Sequence, residues 1–378
     1  MSWLIDTIYY VVPFIVLLGI LVFVHEFGHF IVARITGVQV DVFSIGFGKV
    51  LWSRKDRKGT EWRLSAIPLG GYCQFLGDAD GASAGVDDKA SDLSEEEKKK
   101  AFPFQNPFKK LAIVLAGPLA NYAFAIIIFA LIFGILGKIV FPPVIGGVID
   151  GSAAQKAGLQ VNDRILSVNG NEIVTFDDIR KEVALVDDGN MVEIELLRGG
   201  ETLKLSFPIT VMEYSHNGAP AEKQRLLGVK SLSKVEVSHE KLGVFSALSE
   251  ACKQTWDITE ATLRGVGQMI SGTRSSKELG GIIRIAEMSG DISKKNGWLD
   301  FVTFMALLSV NLGLINLFPI PVLDGGHVVI YVVEILTGRE MNNRVKDALF
   351  KIGFSLLILL MVFATWNDVV RLFERWFV

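Results

Sequence analysis

Residues 8–29 read IYYVVPFIVLLGILVFVHEFGH. The first part, Ile8–Val24, is 17 residues long and carries no charge. It runs directly into His25-Glu26-Phe27-Gly28-His29. A bilayer core needs about 20 apolar residues from a helix, so this run reads as a short span ending in ionisable groups. Such groups at the edge of an apolar run are costly to place in lipid and are usually functional. A cleaved targeting segment is a poorer reading, because residues 1–24 contain no Lys or Arg to form a basic leader.

Working outward, three more stretches repeat the pattern. Leu111–Gly137 has 27 uncharged residues, Phe301–Leu323 has 23, and Ile352–Trp366 has 15 with Lys351 able to snorkel. Half of the 378 residues are apolar and mean hydropathy is +0.39, which places the chain in a membrane class. A net charge of −3 gives no reason to expect a nucleic-acid partner. Cys73 and Cys252 are too few for a disulfide framework or a cysteine metal site.

Basic residues set the expected orientation. Arg34–Lys110 carries 13 Lys and Arg, and Arg339, Arg344, Lys346 and Lys351 follow the third span. Both basic segments are expected inside, both termini outside, and the segment between the second and third spans outside. Within residues 38–76, Gln39–Ile45 and Glu61–Ile67 read as strands with glycine corners at Gly46, Gly48, Gly70 and Gly71. Residues 77–100 are polar and read as a disordered inner loop. Met191–Leu197 and Thr202–Pro208 alternate around Gly199-Gly200, a hairpin signal inside a small domain at 140–212. Thr175 and Asp178 can cap a helix running to about Leu185. Residues 213–298 read as an outer linker with amphipathic helices, and 299–378 as the second part of the membrane domain.

The H-E-x-x-H spacing puts His25 and His29 on one helix face, so both imidazoles can reach one metal ion. Glu26 is offset around the helix and is free to take and return protons in amide hydrolysis. Two interfacial histidines with a snorkelling glutamate are the plainer alternative. A catalytic zinc usually takes a third protein ligand. Pro319 and Pro321 break the third apolar run, and Asp324 follows the break. Asp324 is a candidate ligand or a helix cap; His327 is a rival ligand.

These stretches, HEFGH at 25–29, FSIGFG at 43–48, PLGGY at 68–72, AGPLAN at 116–121 and NLFPIPVLDGGH at 316–327, resemble the site-2 protease family of intramembrane zinc metalloproteases. The likeness is greatest to its bacterial branch that regulates sigma factors. Residues 144–209 are similar to the PDZ segment of that family. The resemblance implies a polytopic α-helical membrane protein with about four transmembrane helices, a reentrant β-hairpin and an inserted PDZ-like β-rich domain. It implies Zn2+ held by His25, His29 and Asp324, with Glu26 as general base. It favours Asp324 over His327 as third ligand. It also implies substrate contacts from Asn311 and Asn316 and, more weakly, Asn121, each of which could instead serve helix packing. Its expected substrate is a single-pass membrane protein such as a pre-trimmed anti-sigma factor, cleaved in a bacterial inner membrane near the cytoplasmic side. Only one PDZ-like segment is found where many relatives have two. Two other classes compete: a non-catalytic PDZ-bearing membrane scaffold, and a metal transporter. Neither gives Glu26 a task.

Overall fold

The computed structural model describes residues 2–78, 92–184, 186, 189–209, 211–214, 222–225, 227–231, 238–272, 275, 280–295 and 297–377. Residues 79–91 of the expected inner loop fall outside that set, as do parts of 210–240. In chain order the elements begin with α1 (Ser2–Thr36), β1 (Val40–Lys55), β2 (Glu61–Phe75), α2 (Glu95–Lys98) and α3 (Pro107–Leu136). There follow β3 (Lys138–Val140), β4 (Ile145–Val148), α4 (Ala153–Lys156), β5 (Arg164–Val168), β6 (Asn171–Glu172), α5 (Phe176–Ala184), β7 (Met191–Arg198) and β8 (Glu201–Pro208). Then come β9 (Val211–Tyr214), β10 (Glu222–Arg225), β11 (Val229–Ser231) and β12 (Ser238–Glu240). Five helices end the chain: α6 (Val244–Ile270), α7 (Ile282–Lys295), α8 (Trp298–Asn316), α9 (Asp324–Thr337) and α10 (Asn343–Phe377).

Among the described residues four helices are long and apolar enough to cross a membrane: Tyr9–Thr36, Pro107–Leu136, Trp298–Asn316 and Arg344–Glu374. Each extends or trims an expected run. The first continues helically through the HEFGH motif to Thr36. The second starts where Asn106 caps the amide of Phe108 at 2.9 Å and Pro107 supplies a preset φ. The third stops at Asn316, because a helix cannot continue into Pro319 and Pro321. Past the break the chain forms α9, where only a loop was expected, and α9 ends on left-handed Gly338. Arg344, Lys346 and Lys351 therefore lie in α10 and not in a loop.

The chain divides into two compact units. The first comprises residues 1–130, 248–265 and 276–378. In it β1 and β2 make more than a hairpin. Val42–Ile45 pairs on one side with the Gly71–Gln74 stretch and on the other with Glu61–Leu64, which in turn pairs with Trp52–Lys55. The ribbon folds back on itself into four rungs. Gly46 makes this corner possible: its φ is +88°, and a Cβ there would stand 2.8 Å from the carbonyl oxygen of Ile67. The Gly71–Phe75 rung is an edge with no further strand paired to it among the described residues. Arg34 at the end of α1 pairs with Asp56 in the turn, stacks over Phe30 at 4.7 Å and reaches Thr60 Oγ1 at 2.8 Å. Phe30, Phe43 and Trp62 fill the space between, with Phe43 and Trp62 ring centroids 4.5 Å apart.

The second unit comprises residues 131–247 and 266–275. Its four-stranded sheet has the order β6-β5-β7-β8. The β7–β8 hairpin turns at Gly199-Gly200, both at positive φ, as two-residue turns require. Val192, Ile194 and Leu196 face its core. Thr175 and Asp178 cap α5 reciprocally. Leu227 and Val229 join the same core, and β11 pairs with β4, so the unit draws on residues beyond the expected boundary at 212. Cys73 and Cys252 are free thiols.

Candidate active site

Helix α1 carries His25 and His29 one turn apart, with ring centroids separated by 4.8 Å. It packs against α3 with almost no gap. A Cβ on Gly28 would lie 2.3 Å from the Ala116 carbonyl oxygen, and one on Gly117 would lie 2.2 Å from His29 Nε2. Small residues let the two backbones approach, as membrane helices commonly do. The approach sets the imidazoles directly against the backbone of α3.

Both rings are held from behind. His29 Nδ1 stands 2.8 Å from the carbonyl of Ile113. A carbonyl can only accept, so Nδ1 carries the proton and Nε2 keeps its lone pair. That carbonyl lies next to the one at Val114, which Pro118 leaves without its intrahelical donor. His25 Nδ1 faces the side-chain amide of Asn121 at 3.2 Å.

Asp324 opens α9 and completes the group from the other end of the chain. Its Oδ2 is 3.0 Å from His25 Nε2 and 3.5 Å from His29 Nε2; the two Nε2 atoms are 3.3 Å apart. Asp324 Oδ2 is buried and meets no hydrogen-bond donor. Three donor atoms thus converge on one point with nothing between them. A tetrahedral zinc site with bonds of about 2.0–2.1 Å has ligand–ligand edges of about 3.3–3.4 Å. The observed triangle and the orphaned oxygen fit such an ion. The backbone feeding Asp324 is strained: Val322 has φ +106°, a conformation that β-branched residues avoid.

The triad sits in a cavity of about 460 Å³ that Glu26, Tyr72, Cys73, Asn316 and His327 also line. Glu26 is half-buried beside the two histidines, on the cavity wall. His327 reaches the cavity too, but its ring lies tilted against those of Phe350 and Tyr331 and stands outside the converging triad. Asn316 Nδ2 is 3.5 Å from His25 Nε2. Asn311 lies a turn and more away and accepts from Thr262 Oγ1 of α6 at 2.8 Å. Asn121 is 0% exposed and wedged behind His25, not open to a substrate. The Ile113 carbonyl and Gly117 were missed by sequence reasoning. The first is backbone and has no signature. The second stood in plain view in AGPLAN, where its lack of a side chain was the signal.

The profile of peptidase family M50 matches residues 13–360. The chain belongs to peptidase family M50. It is similar over its whole length to a Rhizobium meliloti protein, 40% identical across 99% of this chain and 100% of that one. An Agrobacterium fabrum protein is 38% identical over 96% of each chain, and one from Rickettsia conorii is 39% identical over 96% of this chain and 99% of its own. All three are named, provisionally, zinc metalloproteases. A crystal structure of the PDZ domain of an SdrC-like protein from Listeria monocytogenes aligns over 25% of this chain and 93% of its own, with 18% identity and a TM-score of 0.20. Family membership makes this chain a zinc-dependent metallopeptidase, and its apolar helices make it a protein of the membrane.

Proposed function

We propose that this chain is an intramembrane endopeptidase of the site-2 type, in which His25, His29 and Asp324 hold the zinc and Glu26 is the general base. The convergence of three metal-compatible donors, two of them within an apolar helix long enough to cross a membrane, carries the reading. A bound zinc supplies Lewis-acid chemistry that makes water reactive at neutral pH and polarises a peptide carbonyl. Glu26 takes the proton from the attacking water and returns it to the leaving amide nitrogen, within the same cavity. His29, whose Nε2 keeps its lone pair, holds the metal together with His25 and Asp324.

A substrate helix hides its peptide bonds in its own hydrogen bonds and must unwind before cleavage. The Gly71–Phe75 rung lines the cavity, and its outer edge, to which no further strand is paired among the described residues, offers those bonds a new partner by strand addition. The Asn316 amide, on the same cavity wall, holds a freed backbone group of the substrate. The substrate class is a single-pass membrane protein, in particular an anti-sigma factor already trimmed outside. The membrane is the bacterial inner membrane, with both termini outside and the site near the cytoplasmic face. The PDZ-like segment at 140–212 then lies outside the membrane and serves as a size filter against bulky substrates.

The test uses full-length protein in detergent with a membrane-spanning reporter. Wild type should hold one zinc per chain and cleave. Glu26→Gln should keep the zinc and lose cleavage by about 10²-fold or more. Unchanged cleavage in Glu26→Gln, or active protein without zinc, sinks the mechanism.

A further inference from the structure

We propose that Asn121 is the positioning residue of His25: its side-chain oxygen accepts the Nδ1 proton and so fixes the lone pair of Nε2 on the metal. The inference rests on the reading of His25 as a zinc ligand. It replaces the substrate contact expected of Asn121.

The two histidines face the same chemical problem. To offer Nε2 to a metal, a neutral imidazole must carry its proton on Nδ1. An acceptor behind the ring secures that tautomer. His29 has the Ile113 carbonyl at 2.8 Å, which permits no other arrangement. His25 has no backbone carbonyl in that role among its described contacts; Asn121 stands there instead, 3.2 Å from Nδ1.

The amide's orientation decides what His25 can do. With Nδ2 toward Nδ1, the amide donates to the ring and drives the ring proton onto Nε2. That proton would point at the centre of the triad, 3.0 Å from Asp324 Oδ2, and would exclude a metal. The same orientation leaves Asn121 Oδ1 buried with no donor. The two ends of a carboxamide are nearly isosteric and are told apart by their partners. With Oδ1 toward the ring, the orphaned oxygen gains a donor and Nε2 is bared toward His29 and Asp324. One rotation removes both faults.

The rest of the residue is anchored for this task. Asn121 is 0% exposed, and its backbone carbonyl accepts from Ser309 Oγ of α8 at 2.9 Å. The contact fixes the α3 turn that carries the amide against the helix leading to the proline break and Asp324. His25, Asn121 and α8 thus form one connected support.

The experiment measures zinc affinity of the full-length protein by competition with a chromophoric chelator. It compares wild type, Asn121→Leu, Asn121→Asp and His25→Ala. Asn121→Leu keeps the shape and deletes the acceptor, so zinc should bind about 10- to 100-fold more weakly. Asn121→Asp keeps an acceptor and should stay within a few-fold of wild type. Nitrogen-15 NMR of labelled histidine in zinc-free wild type should show His25 protonated at Nδ1, its signal assigned by its absence in His25→Ala. In Asn121→Leu that preference should be lost. Wild-type zinc affinity in Asn121→Leu with a raised KM overturns the proposal in favour of substrate contact. So does an Nε2-protonated His25 in wild type, a readout that stands if Asn121→Leu fails to fold. Full zinc affinity in His25→Ala would instead remove the ligand reading beneath it.

Discussion

Gly117 and His29 are so close that a methyl group on the former would stand 2.2 Å from Nε2 of the latter and 2.9 Å from Cε1 of His25. Gly117→Ala should therefore push both imidazoles off their common point. Overpacking of this kind costs about 1–3 kcal/mol of stability. Its effect on chemistry should be larger, since misplacing reacting groups by about 1 Å can lower rates about 10²-fold. The expected outcome is a folded protein with depleted zinc and cleavage reduced to that degree, read by metal analysis and reporter turnover.

Asp324 and His327 separate as third ligand. Asp324→Ala should lower zinc occupancy sharply, because it deletes the oxygen that stands 3.0 and 3.5 Å from the two Nε2 atoms. His327→Ala should leave occupancy near wild type. Chelation followed by zinc return should restore cleavage in His327→Ala wherever it does so in wild type. Occupancy lost only in His327→Ala would reverse the assignment.

Asn311 and Asn316 should behave differently although both lie on α8. Asn311 is committed to Thr262 Oγ1, so Asn311→Ala and Thr262→Val should each loosen α6 by about 1 kcal/mol. Their combination should be no worse than either alone, the signature of one shared bond. Asn316→Ala should instead lower kcat/KM with little effect on stability. Thermal unfolding and reporter kinetics on the same four proteins distinguish the two patterns.

Asp368 of α10 is buried and accepts from the amides of Gly281 and Arg284 at 3.0 and 3.1 Å, capping α7 from another helix. Asp368→Ala should unfasten that end at a cost of about 1 kcal/mol or somewhat more. Hydrogen exchange should rise in the first turn of α7 before it rises elsewhere. Asp368→Asn keeps an acceptor and should show the smaller effect.

The α5 cap gives a pH-dependent prediction. Burial pushes the Asp178 carboxyl up, but bonds from the Thr175 hydroxyl, Lys181 and the Thr175 amide outweigh it and hold it below the usual carboxylate value. A group lowered in the folded state stabilises above its unfolded value, about 3.9, and loses that contribution as pH falls below it. Asp178→Ala should thus cost about 1 kcal/mol in α5 protection at neutral pH. The difference from wild type should shrink below about pH 4, measured as exchange of α5 amides corrected for intrinsic rates.

The helix face that carries His25 and His29 was legible because the physics is local. A spacing of four residues fixes two histidines on one helix face, and two prolines announce a break before Asp324. What the sequence concealed depended on distant partners. Glu334 interrupts the apolar pattern of α9, yet it is buried because Lys346 Nζ sits 2.7 Å away and the Met341 amide donates to it at 3.0 Å. The polar end of α10 hid its helical length in the same way, since Asp368 has its partners on α7. The glycine corners of β1 and β2 were visible, but not the return of Val42–Ile45 to pair on both sides. Nor could a sequence say which way a buried amide such as Asn121 faces.

His25 and His29 lie on α1 and Asp324 opens α9, so the proposed donor set joins two stretches far apart in the chain but within one compact unit. A chain of this sequence cut between α3 and α9 keeps both imidazoles and lacks the third donor. Such a fragment should bind zinc weakly, however well α1 and α3 pack in it.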